Sequence, residues 1–69
     1  MNEFHDATIN YADALVWYHL MILRVESARV EYGSALYEDE SELIKAYDFM
    51  CDSQNRLSAL AIVRARAGA

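Results

Sequence analysis

Stepping alternately by four and three residues from Phe4 picks out Phe4, Thr8, Tyr11, Leu15, Tyr18, Ile22, Val25, Arg29 and Tyr32, apolar or aromatic at seven of nine places. Such a seam predicts a helix with one buried stripe. A second stripe on the same helix, Ile9, Ala12, Val16, Leu23 and Val30, falls about 140° around from the first at roughly 100° per residue. Between them Ala7, Ala14, Met21 and Ala28 recur every seventh place, mostly small side chains that let another backbone approach. The middle of this helix is therefore apolar almost all the way round. A surface helix with a single neighbour does not tolerate that, so at least two neighbours are expected.

A second periodic run carries Leu43, Tyr47, Met50, Leu57 and Ala61 on one seam, flanked by Ala46, Phe49, Leu60 and Val63. The chain has no proline, and its only glycines, Gly33 and Gly68, stand at the ends of the two runs. Gly33 suits the left-handed position just past a helix C-terminus. One helix is predicted over about 3–32, a turn over about 33–38 and a second helix over about 40–67. Asn2 serves as the first N-cap, and Asp39 with Glu42 resembles a capping box for the second helix. Arg64 and Arg66 fall in its last turn, where cations are favoured.

The short connection forces antiparallel neighbours, so the fold class is all-α, an antiparallel two-helix hairpin in a single domain. Pairing about Leu36 sets Leu15 near Leu57, Ile22 near Met50 and Val25 near Tyr47. One stripe of the first helix then stays uncovered. A two-fold dimer forming a four-helix bundle would cover it, with Ile9, Ala12, Val16, Leu23 and Val30 as the dimer interface.

Composition narrows the picture further. A chain of 69 residues hides only a modest share of its surface when it folds alone, so a staple or a partner is expected. Cys51 is the only cysteine and His5 and His19 the only histidines, which rules out a disulfide and offers little to a zinc ion. Oligomerisation is the staple that is left. A lone cysteine and the lack of a basic then apolar leader point to a cytoplasmic protein. The most apolar window, Ala12 to Leu23, is too short for a membrane span and contains Asp13 and His19. The formal net charge of −5 argues against a broad electrostatic grip on nucleic acid and favours a basic or mixed protein surface as partner.

Candidate chemistry is sparse. His5 with Glu3 and Asp6 reads as a polar first turn, not a metal site. Cys51 has no histidine at helical spacing and reads as a buried, inert thiol. No nucleophile and base pair or phosphate-cradling loop can be assembled, so the expectation is a non-enzyme with no catalytic, cofactor or metal residues. The polar run Asp52 to Arg56 would lie opposite Val16 to Leu20. It either sets register or holds a ligand near Tyr18 and His19, or it faces water with only Gln54 touching the seam. At the hairpin tip, Tyr32, Leu36, Tyr37, Glu38, Asp39 and Glu40 combine rigid aromatic area with carboxylates that steer a basic partner, which marks them as partner-binding. The competing reading is that the tyrosines cap the core and the acids cap the helix.

The two-helix layout with Gly33 at its turn, the acidic charge and the Ala65-Arg66-Ala67 end resemble the small phage-encoded anti-activators. These bind a LuxR-type quorum-sensing regulator and the assembly ATPase of type IV pili. The resemblance implies a homodimeric inhibitor that occupies the surface of a host regulatory protein. Two other readings stay open: an RNA-binding hairpin dimer similar to plasmid copy-number regulators, and a structural component of a larger assembly.

Overall fold

The computed structural model describes residues 2–68. Helix α1 spans Glu3–Tyr32 and helix α2 spans Tyr37–Ala67. Phe4 stacks against Arg64 at the open end and Arg29 pairs with Glu40 near the turn, so the two helices run antiparallel. The resulting rod measures 54 × 17 × 14 Å, and among the described residues no third layer covers either back of the hairpin.

Local chemistry accounts for three of the helix ends. Asn2 holds an extended backbone, and its side-chain oxygen accepts from the Phe4 and His5 amides at 3.0 and 3.3 Å, which satisfies two of the amides that no helical carbonyl can reach. Gly33 ends α1 at φ 82°, donating its amide to the Arg29 carbonyl at 2.9 Å. That left-handed conformation is strained for any residue with a Cβ. Arg64 and Arg66 lie in the last turn of α2, complementing the negative end of its dipole.

The start of α2 departs from the capping-box expectation. The helix begins at Tyr37 behind Leu36, which supplies no side-chain cap, and the Glu40 amide already donates to the Leu36 carbonyl at 3.1 Å. Glu38, Asp39 and Glu40 therefore sit inside the first turn. Their charge on the positive end of the dipole takes the place of a cap. The connection shrinks to residues 33–36 and is centred nearer Ser34 than Leu36.

A shorter turn changes the register. Tyr18 packs on Tyr47 with ring centroids 5.5 Å apart, and Trp17 meets Phe49 edge-on at 6.0 Å. Tyr18 thus faces a residue about two helical turns earlier in α2 than pairing about Leu36 would bring to it. The expected neighbours Leu15 with Leu57, Ile22 with Met50 and Val25 with Tyr47 give way to this arrangement.

The seam itself is also rotated. The buried residues are Ala7, Ala14, Met21 and Val25 on α1 and Ala46 on α2, joined by Asp39. The small-residue repeat is the contact line, because alanines let the backbones close up and leave the larger side chains to either flank. Tyr11, Leu15, Trp17, Tyr18 and Ile22 are half-buried there, whereas Thr8, Arg29 and Tyr32 of the expected seam are exposed. Thr8 folds its hydroxyl back onto the Phe4 carbonyl at 2.8 Å. On α2 the exposed Tyr47 cedes its expected place to Ala46.

Enlarging the contact line should hurt more than trimming the back of the rod. Ala46→Leu is expected to cost roughly 1–3 kcal/mol by overpacking and Val25→Ala about 2 kcal/mol by deletion of buried methyls. Leu23→Ala should stay within about 0.5 kcal/mol in the isolated hairpin. Urea denaturation at low protein concentration measures all three, and equal costs would contradict this placement of the seam.

Candidate interaction surfaces

Thirteen large hydrophobic side chains are exposed among the described residues, against five buried hydrophobic ones of which three are alanine. Val25 is the largest fully buried side chain. A core this thin leaves much of the apolar surface uncovered, and where that surface is contiguous it marks a place of contact.

The back of α1 carries one line of it. Ile9, Val16, Leu20, Leu23 and Val30 are all exposed, Val30 to 87%, and Ala12 is exposed beside them. At 100° per residue this line lies about 180° from the contact line through Ala7, Ala14 and Met21, not the roughly 140° measured from the expected seam. It points directly away from α2. The outer face of α2 is different: between exposed Ile44 and Ile62 stand Asp48, Cys51, Asn55 and Ser58, which break any apolar stripe.

The hairpin tip forms a second surface, but it divides the predicted residues. Tyr32 and Leu36 join Ala28, Ala35, Arg24, Glu31 and Asp39 around an open groove of about 600 Å³. Tyr37 and Glu38 line a separate groove of about 380 Å³ with Trp17, Glu42 and Lys45. Asp39 is only 8% exposed and faces Arg24, Nε to Oδ1, at 3.3 Å. Glu40 pairs with Arg29 at 3.2 Å, and Arg29 also holds Glu26 at 2.9 Å. These two acids tie α2 to α1. Tyr32, Leu36 and Tyr37, exposed to 75%, 64% and 81%, carry the free aromatic and aliphatic area.

The polar run lies elsewhere than expected. Asp52, Ser53 and Arg56 border a shallow depression with Ala7, Asn10 and Phe49, near the open end and away from Tyr18 and His19. Ser53 is the half-buried member, while Gln54 faces solvent. Cys51 is half-buried, not buried. It stands one helical turn beyond Tyr47, and its thiol beside the phenol disfavours phenolate and raises the Tyr47 pKa above its ordinary value. No three His, Cys, Asp or Glu side chains converge on a possible metal position among the described residues. Neither helix is long and apolar enough to cross a membrane.

Two contributors escaped sequence reasoning. Trp17 flanks the seam and lines the Tyr37 groove, and Leu20 completes the back stripe. Leu20 is four residues beyond Val16, a helical spacing that could have found it. Comparison with known protein families, with curated proteins and with solved structures returns no match.

The ion pair beneath the tip is open on its arginine side, so its coupling should be small. A double-mutant cycle with Arg24→Ala and Asp39→Ala is expected to give about 0.2–1 kcal/mol, weakening with salt. A salt-insensitive value several times larger would mean that the pair is shielded from water.

Proposed function

We propose that this chain is a non-enzymatic interaction protein that pairs with itself through the back of α1 and binds a second protein with the tip of its hairpin, disabling that protein by occupying its surface. One observation carries the reading: the exposed line Ile9, Val16, Leu20, Leu23 and Val30, interrupted only by Asp13 and Ser27, on a hairpin with almost no core. Small domains with so little burial rely on association for stability, and two-fold pairing is the commonest way to supply it.

The tip supports the second half of the proposal. Tyr32 and Leu36 flank an apolar-walled groove beside Glu31, which suits an aliphatic or aromatic anchor carried next to a basic residue. Resemblance to phage anti-activators makes a LuxR-type transcription activator and the type IV pilus ATPase the first partners to try, in a host cytoplasm. Recognition of RNA is disfavoured by the net charge of −5, because phosphate neutralisation needs an excess of Lys and Arg.

Val16→Glu with Leu23→Glu should leave a helical hairpin by circular dichroism and abolish the dimer in sedimentation equilibrium; a dimer that survives both charges would refute self-association through this stripe. Tyr32→Ala with Leu36→Ala should preserve the dimer and weaken capture of the partner about tenfold or more. Affinity purification with mass spectrometry supplies the partner, and titration calorimetry the change in affinity. Unchanged affinity would move the foreign site off the tip.

A further inference from the structure

We infer that the back of α1 is covered by the same face of a second copy laid antiparallel about a two-fold axis beside Leu20, so that the dimer is a row of four helices in the order α2, α1, α1, α2. This rests on the homodimer reading above and specifies its geometry. In a square four-helix bundle each helix meets two neighbours roughly 90° apart around its axis. Here the free stripe lies about 180° from the contact with α2. A helix with contacts on opposite sides stands between its neighbours in a row.

The order of residues along the stripe selects the direction of the second copy. Steps of four and three from Ile9 give Ile9, Asp13, Val16, Leu20, Leu23, Ser27 and Val30. From either end this reads apolar, polar, apolar, apolar, apolar, polar, apolar. An antiparallel copy centred between His19 and Leu20 brings Ile9 to Val30 and Val16 to Leu23, and sets the two copies of Leu20 side by side at the axis, offset by one residue. A parallel copy in register would instead set Asp13 against Asp13, two like charges in one seam.

Charge on the flank agrees with the antiparallel arrangement. A two-fold axis across the contact sets like flanks together, so Asp13 comes level with Arg24 and Ser27 of the second copy, twice in the dimer. Arg24 can serve both contacts. Its Nε faces Asp39 while the side chain is 63% exposed, and the guanidinium has further donors directed outward. Asp6 and Glu31 meet as like charges at the two ends of this flank, so attraction is concentrated at the centre.

From Ile9 to Val30 the stripe is about 32 Å long. A helix contact of that length buries on the order of 1,000 Å² in total, near the lower limit for a specific interface. The dimer should accordingly dissociate on dilution.

Cysteine cross-linking of the full chain in a Cys51→Ser background tests the geometry. Helical content by circular dichroism and a dimer by sedimentation are checked for each variant first, with a variant that loses either replaced by its neighbour, Ile9→Cys against Val30→Cys. Leu20→Cys should oxidise to a covalent dimer. Val16→Cys and Leu23→Cys should cross-link at least about tenfold faster when mixed than either does alone, because the antiparallel register separates identical positions by seven residues, beyond disulfide reach. Faster self-linking of Val16→Cys would establish a parallel pair and overturn the inference. A sedimenting dimer in which no pair links would place self-association on another face, leaving the chain a homodimer but ending both this geometry and its pairing through the back of α1. A wild-type chain that stays monomeric at sub-millimolar concentration would sink both and leave the stripe to a foreign protein.

Discussion

The close approach of two helix backbones at Ala7, Ala14 and Ala46 governs the rest of this molecule. These residues are almost wholly buried, exposed to 1% or less, and none has a side chain that could hold the helices apart. Once α2 seats on that line, the bulkier neighbours are displaced to its flanks, where Tyr18 meets Tyr47 and Trp17 meets Phe49. The rotation of α1 about its own axis is then settled. So is the outward direction of Ile9, Val16, Leu23 and Val30.

A contact built on alanine permits close packing but buries little apolar area per residue, so the hairpin gains modestly from the hydrophobic effect. Other ties share the load. At the open end the Arg64 guanidinium lies 4.8 Å from the centre of the Phe4 ring, and near the turn Arg24 and Arg29 reach across to Asp39 and Glu40. All of these are partly solvated and individually weak. They orient the helices more than they stabilise them. Burial of the α1 stripe by an association partner would add the apolar area that a two-helix chain lacks.

The acids near the turn show how one cluster can serve two purposes. Glu38, Asp39 and Glu40 all lie in the first turn of α2, where negative charge offsets the helix dipole. Asp39 and Glu40 also engage arginines of α1, while Tyr32, Leu36 and Tyr37 stay exposed around them. Structural acids and free apolar side chains are thus interleaved at the tip. The acids serve the helix end, as the end-cap reading expects, but the tyrosines that it assigned to the core stay exposed.

Much of the architecture was legible beforehand because it depends on short-range chemistry. Asn2 caps, Gly33 terminates, the absence of proline leaves two unbroken helices, and seven-residue spacings mark their apolar lines; all of these act within one or two turns of chain. The register and the helix rotation were not legible in the same way. With several apolar lines around α1, periodicity alone ranks the stripe with the largest side chains first, whereas packing chose the line of small ones because backbones approach most closely there. That choice moved Thr8 and Arg29 to the surface, drew Asp39 inward, put Ser53 in place of Gln54, and carried the Asp52 to Arg56 run away from His19. The sequence by itself determined two helices, their ends and a surplus of apolar surface, since local hydrogen bonding and hydrophobic periodicity dictate these. Only the tertiary structure decided which surface is the surplus, because that depends on how two backbones fit together across the turn.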